Sequence, residues 1–234
     1  MKKLLKILFG LLLLFVILVI GALAYIGIVP GLAKTVDLGA KNDPALVAAF
    51  ELAHGMKNEV PGGVISAGRL AEFSGQTNLD SVLSANEITS ILAYWKKRNP
   101  AFPIRNVQVR FNSDGTGEIS GILEIRTAIN IAKDLDYNDE DIEKGKKYAQ
   151  YTFGDIPFYV KGIGNVSNNQ VALFPTNFRL GKVEVPQSII KEAIPVIEDA
   201  IERRIGQVNG ANIQSLDFTK GTLHIVATLP AMVK

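Results

Sequence analysis

A run of 23 residues, Ile7 to Val29, carries no charge and is nearly continuous Leu, Ile, Val and Phe, closing at Pro30. As a helix it spans roughly 34 Å, enough to cross the hydrocarbon core of a bilayer. Lys2, Lys3 and Lys6 precede it with no acid nearby. The positive-inside rule then sets the N-terminus in the cytoplasm and everything after Pro30 outside it. Tyr25 stands near the outer end, where an amphipathic ring suits the interface. The expectation is a signal-anchor transmembrane helix over residues 1–30. A cleaved signal peptide competes with it, since Ala22-Leu23-Ala24 matches a small-residue cleavage pattern. The apolar run continues past that point through Tyr25, Ile26, Ile28 and Val29, longer than an ordinary signal core, which favours the uncleaved anchor. Both readings export the body. A core helix of a soluble protein is the third option, and an uncharged run behind a lysine cluster argues against it.

Charge sharpens this division. The net formal charge is +2, and residues 1–33 hold +3 of lysine charge, leaving −1 for the rest. A near-neutral body lacks the concentrated basic face that nucleic acid requires, so no nucleic-acid partner is expected. The chain has no cysteine, which removes disulfides, zinc–thiolate sites and thiol nucleophiles together.

Residues 31–60 read as a stalk and a short helix. Asp43-Pro44 has the form of an N-cap with proline at the first helical position. Leu46, Ala49, Phe50 and Ala53 recur at helical spacing, and Gly55 closes the helix. Residues 61–234 read as one extracytoplasmic α+β domain. Pro61-Gly62-Gly63 turns the chain into a strand near Val64–Phe73. Ser84 and Glu87 form a capping box, followed by an apolar stripe of Ile88, Ile91, Leu92 and Trp95 that stops at Asn99-Pro100. Val107, Val109 and Phe111 alternate with polar residues, and Ser113-Asp114-Gly115-Thr116 turns the chain back. Ile119, Leu123, Ile125, Ile129 and Ile131 share one parity, which predicts a long return strand. A short charged helix is predicted over Asp139–Gln150, capped by Asn138.

Further strands are predicted around Phe158–Val160, Val171–Leu173, Phe178–Leu180 and Val183–Val185, with an Asn168-Asn169 turn. The longest helix of the body is predicted over 187–208. Ile190, Ile194, Ile197, Ile201, Ile205 and Val208 form one stripe, Glu192, Glu198, Asp199, Glu202, Arg203 and Arg204 occupy other faces, and Pro195 should kink it or shift its start. A hairpin through Leu216, Phe218, Leu223, Ile225, Ala227 and Leu229 closes the chain. Strands joined by tight turns imply antiparallel pairing and an α+β fold.

Catalytic motifs are sparse. His54 and His224 are the only histidines, and neither has a nucleophile motif beside it. There is no nucleophile elbow, zinc helix or phosphate loop. Asp134-Leu135-Asp136-Tyr137-Asn138 imitates the start of a calcium loop, but Asp139 stands where glycine is needed and Gly145 where a bidentate glutamate is needed. A helix-start cluster of acids explains it better. Asn165-Val166-Ser167 is a glycosylation triplet. No cofactor or metal is expected.

Leu83-Ser84-Ala85-Asn86-Glu87-Ile88, then Ile104-Arg105-Asn106-Val107-Gln108-Val109-Arg110-Phe111 and Gly117-Glu118-Ile119-Ser120-Gly121, resembles the opening of bacterial tubular lipid-binding (TULIP-like) domains. Val171-Ala172-Leu173, Gly181-Lys182-Val183-Glu184-Val185-Pro186, the long helix and the last hairpin to Pro230 resemble later parts of the same modules. The resemblance covers about residues 80–230 and implies a curved antiparallel sheet wrapped on a long helix, with lipid or another apolar molecule in the groove between. It implies no catalytic residue, so no enzyme is expected. The candidate groove residues are Ile190, Ile194, Ile197, Ile201, Ile205 and Trp95. The leading expectation is a membrane-anchored extracytoplasmic protein whose partners are the bilayer and a lipid ligand. The alternative is a non-catalytic envelope scaffold or interaction module whose groove is filled by its own side chains.

Overall fold

The computed structural model describes residues 34–59, 72–135, 137–140, 142–143 and 154–233. The expected transmembrane helix with Lys2, Lys3 and Lys6, the strand expected near Val64, and most of the charged helix after Asn138 lie outside the described residues. No helix among the described residues is long and apolar enough to cross a membrane.

Local chemistry sets the helix starts. Asp43 caps α1 (Pro44–Ala53), its carboxylate accepting from the Ala45 N–H, with proline in the first turn. Ser84 and Glu87 close a complete capping box on α2 (Ala85–Arg98). The hairpin turns follow their sequences equally well. Asn168 and Asn169 take φ of 50° and 65°, and Lys220 and Gly221 take 50° and 85°. Positive φ at both central residues is what a tight hairpin turn demands.

These hairpins build one large antiparallel sheet. Its strands are β3 (Thr77–Leu83), β4 (Ile104–Phe111), β5 (Gly117–Leu123), β6 (Ile156–Ser167), β7 (Gln170–Leu180), β8 (Val183–Glu184), β9 (Asn212–Thr219) and β10 (Thr222–Leu229). The order runs β3-β10-β9-β6-β5-β4, with β7 on the other side of β6 and β8 beyond it. The architecture is therefore α+β with a large antiparallel sheet. The long strand β6 organises it. One edge pairs with β7 from Phe158 to Ser167. The other edge is shared, by β5 along Ile156–Gly162 and by β9 at Val166–Ser167.

The ring of Phe218 fills the junction where β5 stops and β9 starts. A Cβ on Gly117 would lie 2.6 Å from that ring, and one on Gly164 would lie 3.6 Å from it. Phe111 completes the contact at 5.3 Å between ring centroids. Gly162 permits a different close approach, because a Cβ there would sit 2.5 Å from the Phe174 carbonyl oxygen. The register between β6 and β7 shifts at this point, and such a bulge bends and twists the pair.

A small second sheet joins β1 (Lys57–Asn58), β11 (Met232–Val233) and β2 (Phe73–Ser74) in the order β1-β11-β2. Its β1–β11 pair is parallel, so the end of the described chain is tied to the segment after α1.

Two sequence expectations are corrected. The return strand stops at Leu123 rather than running through Ile129 and Ile131; α3 (Ile125–Asp134) takes its place. Ile125, Ala128, Ile129 and Ala132 also satisfy helical spacing, and the Ala128 N–H donates to the Glu124 carbonyl. The separate strands expected at 171–173 and 178–180 are one strand, β7. Residues 37–43, read from sequence as stalk, are fastened to the body. The Leu38 N–H donates to Gln108 Oε1 at 2.6 Å, the Lys41 N–H to Asn86 Oδ1, and the Asp43 N–H to Ser90 Oγ. Leu38 and Ala40 are buried.

Candidate functional site

The long helix, α4 (Gln187–Gly206), runs through Pro195 without a break. It packs along β7. The contact is made by acids: Glu202 Oε1 accepts from the Val171 N–H at 2.8 Å, and Glu198 Oε1 from the Leu173 N–H at 2.7 Å. Among the described residues this edge of β7 is paired by a strand only at Arg179 and Leu180, by β8, so the two carboxylates complete the hydrogen bonding of an otherwise open stretch of edge. Asp199 accepts from Tyr137 and Arg203, whose hydrogen bonds hold its carboxyl below the usual carboxylate range.

The apolar stripe divides accordingly. Ile190 is buried at 2% exposure, and Ile194 and Ile205 are half-buried. Ile197 and Ile201 stay exposed, at 42% and 38%, and Ile189 and Val196 more so, at 53% and 59%. At 3.6 residues per turn Ile189 and Val196 point roughly opposite Glu198 and Glu202, Ile197 lies beside that face, and Ile201 sits to the flank, on the same side as Ile190. An ordinary surface helix buries its apolar face and wets its acids. Here Glu198 and Glu202 turn to the protein, the stripe is only partly buried, and Ile189 and Val196 stand exposed on the opposite side. Trp95 is half-buried on α2, which packs on β4. Strands β5 and β6 separate it from β7, so the structure gathers the isoleucines on one element and leaves Trp95 at the other edge.

The sheet also holds a polar cluster that no sequence motif marks. Glu118, on β5, keeps only 4% side-chain exposure. Its carboxylate accepts from Arg110 at 2.6 and 3.2 Å, from Asn112 at 2.9 Å and from the Tyr159 hydroxyl at 2.8 Å. Burial alone would raise its pKa, but these hydrogen bonds bring it down to about 2. Burial and the bond to Glu118 push the Tyr159 hydroxyl up. The Arg179 guanidinium stacks 4.3 Å above the Tyr159 ring. Ser120 Oγ and Arg179 Nε are buried there without a hydrogen-bond partner. Ser120 is wholly buried while its apolar neighbour Ile119 is half-buried, the reverse of what polarity along the strand suggests. Only the cross-strand neighbours, unknown from one strand's pattern, could have revealed this.

The histidines find partners at the other end of the sheet. His54 places Nδ1 2.8 Å from the Phe50 carbonyl and Nε2 2.9 Å from Ser81 Oγ. A proton on Nδ1 would leave Nε2 to accept from the serine. This binds the end of α1 to β3. His224 Nε2 meets Asp80 Oδ1 at 2.8 Å on the surface. Two surface clefts are lined by Phe73–Gln76 with Asn209 and Gly210, and by Asn177, Phe178 and Glu184–Gln187; neither includes the Ser81–His54 pair. No group of three or more His, Cys, Asp or Glu that could hold a metal ion occurs among the described residues. Asp136 of the calcium-like run lies outside them.

No family model, curated protein or solved structure matches the chain. What the fold defines is thus an α+β body whose long helix holds Ile189, Val196, Ile197 and Ile201 exposed.

Proposed function

We propose that this is a single-pass, membrane-anchored extracytoplasmic protein that binds lipid or another apolar ligand and catalyses no reaction. The observation that carries this reading is the exposed apolar face of α4, with Ile189, Val196, Ile197 and Ile201 all above a third exposed. Contiguous exposed apolar surface marks interaction sites rather than ordinary solvent-facing surface. Acyl chains laid on such a face gain about 0.8 kcal/mol per buried methylene. The anchor is residues 7–29, with Lys2, Lys3 and Lys6 held in the cytoplasm. The TULIP-like resemblance adds the arrangement of a long helix beside a curved sheet. The bulge and close glycine approach between β6 and β7 are consistent with such curvature.

Mass spectrometry of the exported body, cut before Lys34 and checked for folding by circular dichroism, tests the ligand. Stoichiometric co-purified lipid, or saturable uptake of a fluorescent fatty acid, is the expected result. Repeated absence of both from folded protein removes lipid binding and leaves the self-filled scaffold.

A further inference from the structure

We propose that the outward face of α4 docks on the bilayer surface, so that the body lies against the membrane that anchors it; this rests on the anchor reading above. The polarity of the helix asks for an apolar cover. Glu198 and Glu202 are committed to the amides of β7, and the exposed Ile189 and Val196 lie on the opposite side of the helix, with exposed Ile197 beside them. An interfacial helix has this form, with one apolar face sunk about 5–10 Å into the headgroup boundary.

The tether selects the bilayer among covers. The apolar run ends at Val29, and the chain is fixed to the body again at Leu38, whose N–H donates to Gln108 and whose side chain is buried. Nine residues reach at most about 30 Å even fully extended. The body therefore stays within that distance of the membrane surface. Gln108 is on β4, and β5 and β6 lie between it and β7. Three strand spacings are about 14 Å. A helix packed beyond β7 adds about 10 Å. The α4 face thus falls inside the radius that the tether enforces, where the bilayer is present at high effective concentration. Arg204, also exposed, can lay its aliphatic stem across the same face and keep its guanidinium among headgroups.

The chain lacks cysteine, so single substitutions give unique labelling sites. The full chain would be reconstituted in vesicles of equal parts phosphatidylethanolamine and phosphatidylglycerol. Spin labels would be placed at Ile189→Cys and Val196→Cys, with Leu14→Cys in the anchor and Asp114→Cys at the β4–β5 turn as references. The expected result is a several-fold excess of oxygen over water-soluble nickel collisions at 189, 196 and 14, and the reverse at 114. Water-like values at 189 and 196 with Leu14 still in lipid overturn the docking and leave the anchor standing. A water-like value at 14 overturns both. Dipolar broadening between labels at 196 shows a second copy on the face, and exclusion of both reagents there shows cover by the chain itself; either result overturns the docking.

Discussion

Both ends of the β4-β5-β6-β7 stretch of the sheet face the same problem and meet it with opposite polarity. At β4 the cover is α2 and the segment before α1. The Val109 N–H donates to the Thr89 hydroxyl at 3.2 Å, and Leu38, Val47, Val107 and Val109 are buried there or nearby. At β7 the cover is α4, which supplies carboxylates to two strand amides and leaves isoleucines outside. The first edge is closed by a neutral hydroxyl within an apolar contact, as a self-contained fold requires. The second is closed electrostatically, and of its apolar side chains Ile190 is buried while Ile189, Val196, Ile197 and Ile201 stay exposed. Covering a sheet edge and burying a hydrophobic face are separable tasks, and a helix that completes the first but only part of the second is available for a partner.

The largest expected effect breaks the second edge from within. Gly162→Ala places a Cβ against the backbone of Phe174 and Pro175, which cannot swing aside as a side chain could. Loss of about 3 kcal/mol or more is expected. Chemical denaturation measures it, and a loss under half of that would mean β7 is not held so closely.

Next is the cluster between the two edges. Glu118 has its folded pKa lowered to about 2 from an ordinary 4.5. Its contribution is complete above the ordinary value and disappears as pH falls from about 4.5 through about 2. Glu118→Gln should cost about 2–3 kcal/mol at neutral pH and flatten the acid limb of stability against pH. An unchanged acid limb in the variant would assign that limb to other carboxylates.

The edges themselves are then compared directly. Thr89→Val removes the acceptor from a buried amide and should cost about 1–3 kcal/mol. Glu198→Gln keeps an acceptor in a half-buried place and should cost only about 1 kcal/mol or less. Amide exchange read at Val109 and Leu173 separates the two, since each variant should speed exchange mainly at its own edge. Equal acceleration at both amides would show one cooperative unit instead of two closures.

The smallest effect sharpens the division within α4. Ile197→Ser should change stability by less than about 0.5 kcal/mol, because its side chain is largely outside the core. Ile190→Ala, about two turns earlier on the same stripe and buried, should cost about 2–4 kcal/mol. Similar losses in thermal unfolding of the two variants would mean that the outward face already has a cover in the isolated protein.

The short-range features were legible before any fold was known. Asp43-Pro44, the Ser84–Glu87 box, the Asn168-Asn169 turn and the Lys220-Gly221 turn are each made by residues a few positions apart. Their chemistry acts through the adjacent backbone and needs no distant partner. The stripe on α4 was legible too, as a periodicity. Tertiary structure alone decided which way that stripe faces. It set Glu198 and Glu202 on β7, buried Ser120 and Glu118 beneath cross-strand neighbours, joined β11 to β1, and turned Ile125–Asp134 into helix although its isoleucines also fit a strand. Periodicity reports that a segment has two faces. Only the open hydrogen-bonding groups of another element, brought near by the fold, determine which face is turned inward.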